Sequence, residues 1–312
     1  MRLFRFGLGK SRAKDAGEYL EAAARAEGAG YDVMLCADHL GALSPTVALA
    51  SVAQTTDRLR LCALVLNNDF RHPALVAQEA ATIDLMSGGR YELGIGAGWN
   101  IPEYAESGIE FDRAGARIAR MGESIEILER LFAGGVVSFS GEYYTITDHQ
   151  LDPQPPQGSA LPMLVGGNGP KVLGVAARHA DIIGLTGISM TPEGPELSHL
   201  AVPAIGERIA YVRDRAGARA DELEFNALVQ HVDATGDRRG AARSLAEEMS
   251  ADTAQPVDPD VLLHSPFFLF GTPAQLVEQL HEIREKTGIS YFTIRADGSE
   301  GFDMVVEELS GR

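Results

Sequence analysis

The sequence predicts an α/β fold, a (β/α)8 TIM barrel with insertions, and three observations carry that reading. Short apolar runs alternate with helical stretches along the chain, the pattern of βα units around a parallel sheet. Eight such units fit within 312 residues, 45% of them hydrophobic, which is enough to fill a large core. The expected C-terminal strand ends collect Asp38-His39, Asn67-Asn68, Gly98-Trp99, Gly166 to Gly169, Thr186, His231 and Arg295, and a barrel of this kind carries its site at those ends. A doubly wound open sheet is the competing architecture. Residues 1–312 read as one domain, with a β-hairpin insertion at about 134–160 and irregular insertions at about 186–200 and 238–272.

The elements follow in order. Residues 3–9 form a first strand, and residues 15–29 an Ala- and Glu-rich helix closed by Gly30. Residues 31–36 are a second strand; Ser44 then caps a helix that opens with Pro45. A third strand spans 59–66, and Pro73 opens a third helix that stops at Gly88-Gly89. The fourth strand begins at Tyr91 and sets Leu93, Ile95 and Ala97 on one side against Gly94, Gly96 and Gly98 on the other. A loop at 103–112 precedes a helix in which Ile118, Met121, Ile125, Leu128 and Phe132 form one apolar face. Residues 136–139 and 143–146 flank Ser140-Gly141-Glu142 as a hairpin with a Pro-rich exit. Residues 163–166, 181–185, 223–232 and 289–295 are the remaining strands, separated by helices that begin near Pro170, Val202 and Thr272. A terminal helix closes the chain.

Composition narrows the function classes. The net charge of -17 argues against nucleic acid or an anionic membrane as the main partner, while leaving room for a local anion site. No apolar run is long enough to span a bilayer, and Arg5 interrupts a start that lacks the apolar region of a signal peptide. Cys36 and Cys62 alone imply no disulfide framework, so a reducing cytoplasm is the expected location.

Three glycines weaken a strand and fill no space, so something is expected to approach its backbone closely: a packed helix or a flat ligand. Both readings stand on spacing alone. The glycines lie within the strand rather than between strand and helix, which excludes a Rossmann fingerprint. Gly166-Gly167-Asn168-Gly169 does sit between a strand and a helix, with Lys171 in the first turn, and reads as an anion cradle of N–H groups. His39, behind Asp38, has the chemistry to donate or accept a proton near neutral pH; the plain alternative is a structural His bonded to that Asp. His72 before Pro73 reads as a loop-shaping residue. The histidines are scattered, with no His-x-His or His-Glu-x-x-His, so no metal site is expected. A Gly-x-Ser-x-Gly nucleophile elbow is also missing.

Taken together, Ala37-Asp38-His39, Phe70-Arg71-His72-Pro73, Ala81-Thr82-Ile83-Asp84, Ser87-Gly88-Gly89-Arg90, Leu93 to Trp99, Pro162 to Gly167 and Ala176 to Asp181 resemble the luciferase-like monooxygenase superfamily. Within it, the chain is most similar to the oxidoreductases that use the deazaflavin coenzyme F-420. Gly271-Thr272-Pro273 and Gly288-Ile289 fit as well, and the match is weakest over 186–265. The resemblance implies a tricyclic ring lying across the strand ends and a non-prolyl cis peptide bond near Leu64 and Val65. It implies cofactor contacts from Asn67, Gly96 and Gly98, and a phosphate held by Gly166, Gly167, Asn168 and Gly169, with Arg295 as a further contact. His39 would take part in proton transfer at the ring, oriented by Asp38. The loop after the glycine strand carries acidic groups in the sugar-phosphate dehydrogenases of this kind; Trp99 stands at the first position and Glu103 at the second. Trp99, Thr186 and the 186–200 loop would shape the substrate pocket.

The function this implies is hydride transfer between F-420 and a small organic substrate. An FMN-dependent monooxygenase fed by a partner reductase is the alternative, and a flavin-binding barrel without turnover is a third reading. Expected partners are a small-molecule substrate, a flavin or F-420 reductase as cofactor supplier, and a second copy of the chain in a homodimer through first-half helices.

Overall fold

The computed structural model describes residues 2–191, 194–297 and 301–312. β1 (Arg5–Gly9), α1 (Ala16–Gly28), β2 (Val33–Cys36) and α2 (Pro45–Ala53) make the first two βα units. β3 (Arg60–Ala63) and β4 (Leu66–Asn67) are one stave in two pieces, followed by α3 (Pro73–Ser87). β5 (Tyr91–Gly96) leads to α4 (Ile101–Ser107) and α5 (Ala114–Phe132); β6 (Val136–Ser140) and β7 (Thr145–Gln150) then pair as an antiparallel hairpin. Next come β8 (Met163–Gly166), α6 (Pro170–His179), β9 (Ile182–Leu185) and a small hairpin of β10 (Ser189–Thr191) and β11 (Gly194–Glu196). α7 (Val202–Ala216), β12 (Glu224–Leu228), β13 (His231–Asp233), α8 (Arg238–Thr253), α9 (Pro259–His264), β14 (Phe268–Phe270), α10 (Pro273–Thr287), β15 (Tyr291–Arg295) and α11 (Asp303–Leu309) follow.

The sheet order is β3-β2-β1-β15-β12-β9-β8-β5-β4, and pairing between β3 and β5 joins its ends. Eight parallel staves therefore close into the expected (β/α)8 barrel, and that closing pair excludes an open sheet.

Several local expectations change. The third strand is interrupted at 64–65, where the Leu64–Val65 peptide bond is cis, the bond named by the resemblance. Part of the 103–112 loop is helical: α4 starts after Asn100, carries Pro102 in its first turn and ends at Gly108 in the left-handed region, φ +71°. Seven residues are too few for a helical period to show in sequence. The 186–200 stretch holds the β10–β11 hairpin. The 238–272 stretch holds α8, α9 and β14, whose parallel partner β13 takes the end of the expected seventh strand.

Alternation along the staves sends Phe6 and Leu8 outward to the helices and Arg5, Gly7 and Gly9 inward. The lower interior is filled by Val33, Leu35, Cys62, Leu164, Ile182 and Tyr291, with Leu64 and Val65 packed above them. At the bottom, the buried Glu92 carboxylate bonds both Arg5 and Arg60, Arg5 also reaches Glu224 at 2.9 Å, and its guanidinium lies 4.6 Å from the Tyr291 ring centroid. Paired charges thus close the N-terminal end, leaving the C-terminal end as the mouth.

Candidate active site

The inward positions nearest the mouth are glycines on four staves: Gly9, Gly96, Gly166 and Gly184. No side chains fill that layer from β1, β5, β8 or β9, and Val65 enters it from the broken third stave. A Cβ on Gly96 would lie 2.6 Å from Val65 Cγ2, and one on Gly166 3.1 Å from Val65 Cγ1. A Cβ on Gly94 would fall 1.7 Å from the Ala63 carbonyl oxygen. The glycine strand is therefore hollowed for its neighbouring strand at Gly94 and Gly96, and it is that strand, not a packed helix, that comes close to them. A flat ring entering the mouth would meet Val65 first. Gly98 answers to yet another group: with φ +74°, its Cβ would sit 1.9 Å from Tyr104 Oη and 2.6 Å from Asn67 Oδ1.

His39, just past β2, meets Glu103 of α4, with Nδ1 2.8 Å from Glu103 Oε1. Glu103 is buried at 6% exposure, while the His39 side chain is about one-third exposed at 35%. A carboxylate accepts, so Nδ1–H donates and Nε2 is left to exchange a proton with a reacting group. Trp99 packs edge-on against the imidazole, centroids 5.6 Å apart, and is itself half exposed.

The expectation that Asp38 orients His39 is corrected. The Asp38 carboxylate bonds both Arg71 guanidinium nitrogens and accepts from the Asn67 N–H at 2.9 Å. Successive residues in extended chain diverge, so Asp38 turns to the third stave while His39 faces the mouth. Asn67, expected at the cofactor, uses its side-chain oxygen within the protein, accepting from Asp69 N–H at 3.1 Å and Tyr104 Oη at 3.1 Å.

Across the mouth, β8 runs into α6 through the expected cradle. Gly167 spends its N–H on the Gly184 carbonyl at 3.0 Å, and its Cβ would lie 2.5 Å from Val172. Gly169 is the N-cap of α6 and exposed, with nothing within 4 Å of the place a Cβ would occupy. The N–H groups of Gly169, Lys171 and Val172 have no partner inside the helix and carry its positive dipole end. The Asn168 amide donates to Thr186 Oγ1 at 2.7 Å and Ser189 Oγ at 2.8 Å. Thr186 thus joins the β9 exit to the cradle instead of standing free in a pocket. Arg295 ends β15 at the rim and is exposed.

Three structural residues escaped the sequence reading. Arg71 lay in a recognised motif but had no visible partner. Arg117 braces the end of the glycine strand through the Ala97 and Gly98 carbonyls, at 3.2 and 3.3 Å. Tyr104 donates to Asp69 Oδ2 at 2.9 Å. Burial pushes the Asp69 carboxyl above its usual range, against the pull of the Tyr104 hydroxyl and the Arg120 charge. No sequence signal pointed to these partners: the Arg71 and Tyr104 contacts join different βα units, and Arg117 meets the end of its own strand across the α4 insertion, 20 and 19 residues away.

Among the described residues, no group of three or more His, Cys, Asp and Glu side chains is arranged to hold a metal ion, and no helix is long and apolar enough to cross a membrane.

A closed parallel barrel with a His–Glu pair, a glycine-lined layer and a free helix N-terminus at one rim defines the class: a TIM barrel with its site at the C-terminal face. The chain belongs to the luciferase-like monooxygenase family, whose model matches residues 1–291. It is 35% identical over 173 residues to the F420-dependent glucose-6-phosphate dehydrogenase of Amycolatopsis mediterranei, covering 53% of this chain and 51% of that one. The chain therefore spans about half the length of that relative. With the enzyme of the same name from Beutenbergia cavernae it shares 29% identity over 311 residues, 92% of this chain and 90% of that one. Among solved structures, the coenzyme F420-dependent tetrahydromethanopterin reductase of Methanopyrus kandleri superposes with a TM-score of 0.78 at 18% identity, covering 99% of each chain; that likeness is one of fold.

Proposed function

We propose that the chain is an oxidoreductase that binds coenzyme F-420 and transfers a hydride between it and a small organic substrate, with residues 1–312 acting as one unit. The observation that carries this reading is the 2.8 Å His39–Glu103 pair at the mouth, facing a layer left open by four glycines. Relatives named for the same coenzyme support it. The residues present fit the group: Leu64 and Val65 would back the ring, with Gly96 and Gly98 beside them, and Asn67 would shape that edge. The loop of Gly166, Gly167, Asn168 and Gly169 would hold the phosphate at the helix N-terminus, with Gly167 and Asn168 tied down inside the protein to shape it and the Gly169 N–H free to face the anion; Arg295 would be the outer cation.

When bound, the deazaflavin supplies the hydride chemistry. His39 moves the accompanying proton through Nε2, and Glu103 fixes the imidazole and balances its charge. Asp38, held by Arg71, anchors the Asn67 backbone and so the third stave. Leu40, Trp99 and Ile101 are exposed at 45%, 50% and 44% and flank the pair in sequence, giving the rim an apolar character. That favours a substrate with an apolar portion. Trp99 in place of an acidic group weighs against a sugar phosphate, and Thr186 acts on the pocket by securing its loop.

The partner reading is a homodimer through α2 and α3. α2 carries no charged residue, and Val47, Leu75 and Leu85 of the two helices are exposed at 71%, 55% and 52%. A separate reductase would regenerate the coenzyme.

Titration of the purified protein with F-420 and with FMN, followed by cofactor fluorescence, tests the central claim. Tighter binding of F-420 is expected. Tighter binding of FMN would move the chain to the monooxygenase reading, which the family description favours, and binding of neither would reject both rings.

A further inference from the structure

The Glu103 carboxylate reaches His39 only because a short helix is held in one place, and a single buried hydroxyl converges on what holds it. Tyr104, the next residue along α4, is 1% exposed. Its Oη lies 2.9 Å from Asp69 Oδ2 and 3.1 Å from Asn67 Oδ1. Asp69 is backed by Arg120 of α5 at 3.4 Å, which also bonds Asp112 and lies 5.5 Å from the ring centroid of Tyr143 in the turn between β6 and β7. Gly98 leaves room for the same hydroxyl, since a Cβ there would lie 1.9 Å from it. Two chain segments are thus shaped around one oxygen, the end of the third stave and the end of the glycine strand, and α5 backs them through Arg120. The ring would be held without it, packed at 5.2 Å against Phe70 and 4.8 Å against Phe111.

We propose that Tyr104, through its hydroxyl contacts to Asp69 and Asn67, is a positioning residue that sets Glu103 against His39. The inference rests on the reading of those two side chains as the proton-handling pair. A seven-residue helix has little intrinsic stability and takes its place from tertiary contacts. The hydroxyl ties α4 to β4, whose Asn67 N–H is held by Asp38 beside His39. Both members of the pair are therefore referred to one frame, and displacement of about 1 Å in such a frame has large consequences for proton transfer.

The test reads the imidazole directly and needs neither cofactor nor substrate. Long-range proton–nitrogen NMR of protein labelled with nitrogen-15 histidine reports which ring nitrogen carries the proton, and His39→Gln assigns the signal. The wild-type protein should show His39 protonated at Nδ1. Tyr104→Phe keeps both ring contacts; it should retain the fold by circular dichroism and lose the Nδ1–H signature. The emission of Trp99, the one tryptophan, should shift as its edge contact with His39 loosens. Asp69→Asn leaves the hydroxyl in place, removes the charge facing Arg120, and should move the same two signals the same way. An unchanged His39 pattern in the folded variants would overturn the proposal, and if Tyr104→Phe fails to fold, Asp69→Asn decides it. F-420 fluorescence titration of each variant keeps this outcome separate from the cofactor reading, because its failure there leaves the NMR result standing.

Discussion

His39 takes its partner from 64 residues away, and the proposed chemistry of the mouth rests on that pairing. With Glu103 on Nδ1, the exposed side of the ring is Nε2, the atom able to exchange a proton. His39→Gln should therefore lower turnover by roughly a hundredfold to ten-thousandfold, the usual worth of a general acid or base, while F-420 affinity stays within about threefold. Glu103→Gln should lower turnover less, since it removes the orienting charge but retains a hydrogen-bonding group. Equal turnover in both variants and the wild-type protein would reduce the pair to structure. The cradle allows a second test, provided the right glycine is chosen. Gly167 is unsuitable, because its Cβ would meet Val172 at 2.5 Å and any loss would report misfolding. Gly169 is open, so Gly169→Asp should leave stability unchanged and weaken cofactor binding by about tenfold or more, through a negative charge set at an anion site. Unchanged affinity would remove the phosphate from this loop.

Elements are placed by a few side chains that cross between them. Glu27, in the last turn of α1, accepts from the N–H groups of Asp57, Arg58 and Leu59 at 3.0, 2.7 and 2.9 Å and so fastens α1 to the entry of β3. Burial alone would raise its pKa, yet the three N–H bonds outweigh that and hold the carboxyl below its ordinary value of 4.5. Unfolding releases it to that ordinary value. The stabilisation is thus complete above about pH 4.5 and is lost as the pH falls through the folded value. Glu27→Gln should cost about 1 kcal/mol at pH 7, the scale of a hydrogen bond to a charged group exchanged for a neutral one. It should also flatten the acid limb of a denaturant-midpoint series; a parallel loss at every pH would contradict the sign. α4 illustrates the opposite case, a helix too short to be recognised by period that nevertheless carries both Glu103 and Tyr104. The broken third stave is likewise a matter of neighbours, because Val65 needs the space that Gly96 and Gly166 leave.

At the level of the molecule, closure of the barrel and the proposed association of two barrels would draw on different surfaces. The inner layers hold charge at one end and glycines at the other, so a ligand of the proposed kind would enter from the C-terminal rim. The outer faces of α2 and α3 carry exposed apolar side chains, Val47, Leu75 and Leu85, on a chain of net charge -17. Val47→Asp combined with Leu75→Asp should convert a dimer of the 33.4 kDa chain to a monomer by light scattering, with folding retained. A wild-type protein that is monomeric at all concentrations would remove this surface from consideration. The barrel itself was legible in sequence because eight alternating units leave a periodic trace, and local chain chemistry marks their ends: Pro45, Pro73, Pro170 and Pro273 each open a helix. The strand ends carrying Asp38, His39, Gly98, Gly166 and Arg295 followed from the same alternation. Partnership did not follow. Asp38 turned to Arg71 and His39 to Glu103, although the two are adjacent in the chain, and Gly94, Gly96 and Gly98 answered to Ala63, Val65 and Tyr104. Those pairings depend on which staves become neighbours and on where a seven-residue helix comes to rest. Periodicity and turn chemistry are properties of the chain over a few residues; contact across 64 residues exists only once the barrel has closed.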